Sequence, residues 1–269
     1  MKKRFMQPTF KISLLSLVIT TSALHANAQF KVNAKSIKAA TSAAKAVTLS
    51  DDQVAGYAKE YMVWMDENNP VAPADHELSQ RLAKLTSGLE NHDGLALNFK
   101  VYLVKDVNAF ACADGSVRVC AGLMQVMDDN EVLGVIGHEI GHVKNKDSKD
   151  AFRTALLTSA LKDGAGSQGG TAGTLSDSKL GELGTAVANS SFSRTQESAA
   201  DSYGYDLLKE KEVNPWYMAT AFESLAKLSE GGEKASTMQR LMSSHPDTEK
   251  RVKAMSEKAT KDGFERPTK

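Results

Sequence analysis

The chain lacks the features that mark a nucleic-acid binder or a membrane-spanning protein. Its 33 basic and 33 acidic residues cancel, so there is no basic excess to set against phosphate. Its longest apolar run, Ile12 to Leu24, has 13 residues, against the ~20 that a helix needs to cross a bilayer. Only two cysteines occur, Cys112 and Cys120, and their spacing is not that of a zinc knuckle. No internal repeat is visible. What is present is a 269-residue chain with 41% hydrophobic residues, enough for a real core in one large or two small domains.

The first 28 residues read as a cleavable signal peptide. Lys2, Lys3, Arg4 and Lys11 precede or open the apolar run, and Ala26-Asn27-Ala28 supplies a small-x-small cleavage pattern. No cysteine lies nearby to carry a lipid. Removal of 1–28 leaves 29 basic against 33 acidic residues, a soluble exported chain, expected in the periplasm of a Gram-negative envelope. Residues 29–48 read as a linker, 49–262 as the folded domain and 263–269 as a loose tail.

Along the domain the apolar spacing is mostly helical. Ser50 is placed to cap a first helix, with Asp51 and Asp52 at its positive end. A second helix is expected from about Pro73 to Leu89, with Leu78, Leu82, Leu85 and Leu89 on one stripe. Phe99, Val101 and Leu103 then alternate as in a half-buried strand. Asp114-Gly115 reads as a two-residue hairpin turn joining Asn108–Ala113 to Ser116–Cys120. That register sets Cys112 opposite Val117, with the two thiols on opposite faces. A different register would reverse this, so a disulfide stays open. Helices are expected near 128–144, 147–161, 175–190, 194–210, 215–229 and 246–259. Residues 164–174, GAGSQGGTAGT, read as a flexible loop. The fold class is α+β, mostly α-helical, with a small antiparallel or mixed sheet beside the metal-motif helix.

That motif is His138-Glu139-Ile140-Gly141-His142, an HExxH pattern. Residues four apart lie one turn apart on the same helix face, so two imidazoles can converge on one ion. Glu139 flanks them as a candidate general base. HExxH fixes only three positions, so further residues must decide. A catalytic zinc needs a third protein ligand and one open position. Ser148 stands where one zinc-protease subclass has a third His, which excludes that pattern. Glu197 is the best third ligand. Asp201, one helical turn later, is placed to accept the free N–H of a ligand histidine. Alone, such an acidic pair reads as a solvated face, and no cation is clearly placed to offset it. A divalent ion beside the HExxH helix would. His245, in Ser244-His245-Pro246-Asp247, could hold a developing oxyanion or occupy the open metal position in a latent form, and Arg251 beyond it reads with Asp201 as an outer support of the metal centre. His76 and His92 read as surface residues.

Together these motifs resemble the HtpX/Ste-type zinc metallopeptidases of the gluzincin group, the periplasmic LoiP/YggG-like members most of all. The resemblance runs from about Leu49 to the C-terminal helix. It rests on Asp106-Val107-Asn108-Ala109-Phe110-Ala111, Gly122-Leu123-Met124, the HEIGH motif, Ser193-Arg194 with Glu197 and Ala200-Asp201, and Ser244-His245-Pro246 with Arg251. It implies a zincin-like fold and one Zn²⁺ held by His138, His142 and Glu197, with Glu139 as base. It also implies that Asn108, Ala109, Phe110 and Ala111 form an edge strand that pairs with an extended substrate. The expected activity is endopeptidase cleavage of unfolded or misassembled envelope polypeptides, with outer-membrane proteins or their assembly machinery as partners. The rival reading is a periplasmic chaperone or assembly factor with latent activity.

Overall fold

The computed structural model describes residues 49–162, 175–188, 190–229, 241 and 243–268. The expected signal peptide, linker and glycine-rich loop lie outside the described residues. Helix α1 (Asp51–Asn68) opens as its sequence suggests: the Ser50 hydroxyl accepts from Gln53 N–H, and the Gln53 side chain accepts from Ser50 N–H. Helix α2 is shorter than expected, Glu77–Leu85. His76 Nδ1 accepts from Leu78 N–H and starts the helix there, so His76 is a cap and not an idle surface residue. Leu89, expected inside this helix, is buried beyond its end.

The sheet is mixed, with spatial order β1-β3-β2. Strand β1 (Asn98–Tyr102) runs parallel to β3 (Ser116–Cys120), and β2 (Ala109–Ala111) runs antiparallel to β3. Leu103, expected as a third inward residue, lies past the end of β1 and is exposed. The hairpin register also differs from expectation. Ala111 pairs with Val117, and Cys112 N–H donates to Ser116 O. The loop is therefore three residues, Ala113–Gly115, not two. Gly115 takes φ +87°, the left-handed geometry that such a loop needs. Cys112 now shares a pair with Ser116, four strand positions from Cys120; both cysteines are buried and no disulfide joins them.

A short helix not foreseen, α3 (Ala121–Val126), separates the sheet from α4 (Asp129–Lys144). Asp128 caps α4, accepting from the N–H groups of Asn130 and Glu131. Residues 131–142 of α4 are buried all round. Helices α5 (Asp147–Lys162), α6 (Asp177–Ala188), α7 (Arg194–Glu210), α8 (Tyr217–Ser229) and α9 (Thr248–Lys261) complete the described structure. One core joins the sheet to α4, α7, α8 and α9, and a second lies under α1, α5 and α6. Beyond Asp262 the tail is fastened, not loose: Trp216 Nε1 donates to Phe264 O and Asn214 Nδ2 to Glu265 O.

Helices α4 and α7 touch backbone to backbone. A Cβ added at Gly141 would lie 2.9 Å from Ala200 Cα, and one at Gly137 would lie 2.9 Å from Gly204 Cα. No side chain fits at either glycine without moving α7. This close approach carries Glu197 and Asp201 against the histidines of α4.

Candidate metal centre

His138, Glu139, His142, Glu197, Asp201, His245 and Arg251 meet in one buried cluster, each at most 8% exposed. One donor atom from each of His138, His142, Glu197 and His245 lies within 4.8 Å of the others. His138 Nδ1 lies 2.8 Å from Asp201 Oδ1, and His142 Nδ1 lies 3.0 Å from Asp147 Oδ2. A carboxylate only accepts, so each Nδ1 carries the proton and each Nε2 presents a lone pair. Those two lone pairs face each other at 3.0 Å. Glu197 adds carboxylate oxygens 3.4 Å from His142 Nε2 and 3.7 Å from His138 Nε2. Converging lone pairs and a carboxylate repel unless a cation lies between them, and the donor set suits a divalent metal.

Arg251 supplies the cation that the sequence did not visibly place near the acidic pair. Its Nε and Nη2 donate to both oxygens of Asp201, at 2.9 and 2.6 Å. Its Nη1 lies 2.7 Å from Glu197 Oε2, an ion pair without hydrogen-bond alignment, since that oxygen has no hydrogen-bond partner. The guanidinium also lies 4.1 Å from the centre of the Phe222 ring. Asp201 is thus a firm support for His138, and the pair Glu197–Asp201 is no solvated face.

The electrostatics match the geometry. Burial raises the Glu197 carboxyl, but the adjacent His142 and His245 outweigh it and hold the group well below the usual range. Burial, then Arg251 and the neighbouring histidines, keep His138 neutral. Burial lowers His142 too, but Glu197, Glu139 and Asp147 prevail and raise it. The carboxylates that favour a proton on His142 favour a metal in its place. Glu139 is pushed up by burial, partly offset by His245 and His142. Its Oε1 has no hydrogen-bond partner, and His245 Nε2 lies 3.7 Å from it. A buried carboxyl of raised affinity for protons is suited to taking and returning one.

His245 sits inside the donor cluster, with Nδ1 2.9 Å from Glu197 Oε1 and 3.2 Å from His138 Nε2. A cleft of about 830 Å³ opens beside it, lined by Glu139, His245, Asn108–Cys112 and residues of α1, α5 and α6. Strand β2 is the edge of the sheet, and Ala109, Phe110 and Ala111 present that edge to the cleft, with Asn108 just before it.

Three supports escaped sequence reasoning. Asp147 reaches His142 from five residues on because Lys146 takes φ +65° and folds α5 back beneath α4. Lysine rarely adopts that geometry, so nothing in its identity announces the turn. Gln196 Nε2 donates to Asp147 Oδ1 at 2.9 Å. Phe192 stacks on the His142 ring, with centroids 3.9 Å apart and planes 16° apart.

A buried His–His–Glu cluster open to a cleft is a donor set suited to metal-assisted hydrolysis. Comparison with known proteins agrees: residues 74–259 match the model of peptidase family M48, and the chain belongs to that family, with its zincin-like metalloendopeptidase fold. The metalloprotease LoiP of Escherichia coli K12 is 42% identical over 221 residues, covering 82% of this chain and 86% of the relative. The metalloprotease YcaL of the same strain is 38% identical over 217 residues, covering 80% and 84%. An HtpX protease homologue of Salinibacter ruber is 30% identical over 183 residues, covering 56% and 64%.

Proposed function

We propose that this metalloendopeptidase is a zinc enzyme, exported to the periplasm by residues 1–28, that cuts unfolded or misassembled envelope polypeptides. One observation carries the metal reading: the Nε2 atoms of two histidines meet at 3.0 Å with Glu197 beside them. His138, His142 and Glu197 are the ligands, oriented by Asp201 and Asp147. The bound ion supplies Lewis acidity toward a carbonyl oxygen and toward water. Glu139 takes the proton of the attacking water and returns it to the leaving amine. Main-chain groups of β2 hold the substrate as an added strand, which favours unfolded chains because a folded protein offers no free extended segment. His245, facing Glu139, is placed to hold the developing oxyanion.

The test is zinc content joined to casein digestion. The parent is expected to carry one zinc and to digest casein until chelated, and Glu139→Gln to keep zinc without digesting. Equal digestion by both proteins would overturn the mechanism.

A second reading has its own support. His245 Nδ1 lies among the ligand atoms, where a working site keeps a position open. That arrangement favours a latent form acting as a chaperone or assembly factor for outer-membrane proteins. Suppression of substrate aggregation by Glu139→Gln, with no cleavage by the parent, would establish it.

A further inference from the structure

The two candidate ligand histidines are held by different devices. Asp201, behind His138, is gripped at both oxygens by Arg251. Asp147, behind His142, has no such arginine among the described residues; its other oxygen accepts from the neutral side-chain amide of Gln196. Gln196 has a second task. Its Oε1 accepts from the N–H and hydroxyl of Ser193, closing the cap of α7 one residue before Glu197. A capping box uses only the acceptor oxygen of its glutamine and leaves the amide N–H groups for other partners. Here that amide spans 49 positions in sequence to reach Asp147.

We infer that Gln196 is a positioning residue for the metal centre: through Asp147 it ties the start of α7, which carries Glu197, to the orientation of His142. Three contacts in series do this: His142 Nδ1 to Asp147 Oδ2 at 3.0 Å, Gln196 Nε2 to Asp147 Oδ1 at 2.9 Å, and Ser193 N to Gln196 Oε1 at 2.9 Å. Asp147 is 6% exposed, so water does not compete freely for its oxygens. Without the amide, Asp147 is free to turn about its side-chain bonds, and His142 loses both its fixed tautomer and its fixed ring plane. Glu197 and His142 then no longer approach the metal as a preset pair. The inference rests on the metal reading of the site.

Helix α1 provides a matched control. Ser50 and Gln53 form the same capping box, and among the described residues the Gln53 amide N–H meets no carboxylate. The experiment measures zinc affinity of the full chain by competition with a chromophoric chelator, together with the apo-protein unfolding midpoint. Gln196→Glu keeps the capping acceptor, because glutamate serves a capping box as well as glutamine. It sets an oxygen against Asp147 where a donor stood. The added negative charge by itself would strengthen cation binding, so weaker binding isolates the loss of orientation. Loss of such an outer support weakens metal binding about 10- to 100-fold, and that is the loss expected for Gln196→Glu and for Asp147→Ala. The double variant should bind little more weakly than Asp147→Ala alone, since both changes break one series of contacts. Gln53→Ala should shift the unfolding midpoint and leave zinc affinity at the parent value. Unchanged affinity in Gln196→Glu, or losses that add in full, would overturn the inference. A parent that binds no zinc would instead overturn the metal reading itself.

Discussion

Two buried arginines organise this molecule, and they do so differently. Arg118, at the middle of β3, is 2% exposed, and its Nε and Nη2 donate to the two oxygens of Asp66 in α1. Tyr102 and Lys100 donate to the same two oxygens, so that carboxylate is saturated and outnumbered by cations. Arg251 is also buried, at 8% exposed, but faces Glu197, Asp201 and, nearby, Glu139, with Asp147 behind His142. One permanent cation there meets four carboxylates. Glu197 Oε2 and Glu139 Oε1 have no hydrogen-bond partner. The first centre is complete and pins the sheet to a helix. The second is incomplete as protein alone, and the deficit is positive charge.

The largest effect that separates the two centres is catalytic. Glu139→Gln should lower casein cleavage by about 10²- to 10⁴-fold, the usual contribution of a positioned base, while an unfolding curve stays close to the parent's. Arg118→Ala should do the reverse. It removes two of the four donors to Asp66 and leaves Lys100 and Tyr102 to hold it, and losing hydrogen bonds to a charged group costs about 1.5–3 kcal/mol. Urea unfolding should show that loss, and the folded fraction should still bind zinc. Saturating zinc is the next test. At about a thousandfold excess over its dissociation constant, a ligand of the native state adds about 4 kcal/mol, and chelation should remove it. The increment should survive in Arg118→Ala and shrink in His142→Ala. A zinc increment lost equally in both would erase the distinction between the centres.

The smallest expected effect is on the acid limb of stability. Burial raises the Asp66 carboxyl, but Arg118, Lys100 and Tyr102 outweigh it and hold the group below the usual carboxylate range. A carboxylate depressed by folding adds stability that is fully present above its unfolded pKa. That stability is lost as the pH falls below about 4. The Asp66→Asn chain should therefore lose less stability than the parent between pH 6 and about 3, measured by urea unfolding at each pH. An acid limb equally steep in both would remove Asp66 from the account.

Much of the site was legible because its rules are local. HExxH puts two imidazoles on one face of α4, and Glu197 and Asp201 share one face of α7, by helical period alone. Ser50 announces a helix start through cap chemistry. Arg251 was legible as a neighbour of His245, but not as the partner of Glu197 and Asp201, because that pairing joins residues 50 apart. The hairpin was legible as a hairpin, yet its register was not. Asp-Gly favours both two- and three-residue loops, and a left-handed Gly115 suits either.

By itself, then, the sequence determined most of the helices, the capped start at Ser50 and the two faces that bear histidines and carboxylates. Backbone period and short-range hydrogen bonding act within a few residues, and a sequence displays them directly. Only the tertiary structure decided that these faces meet. Gly137 and Gly141 admit α7 to within backbone contact of α4, and the left-handed Lys146 returns Asp147 beneath His142. Arg251 and Gln196 then close on the acids from distant parts of the chain. Such contacts depend on how whole helices pack, and close packing fixes them only once every neighbour is in place.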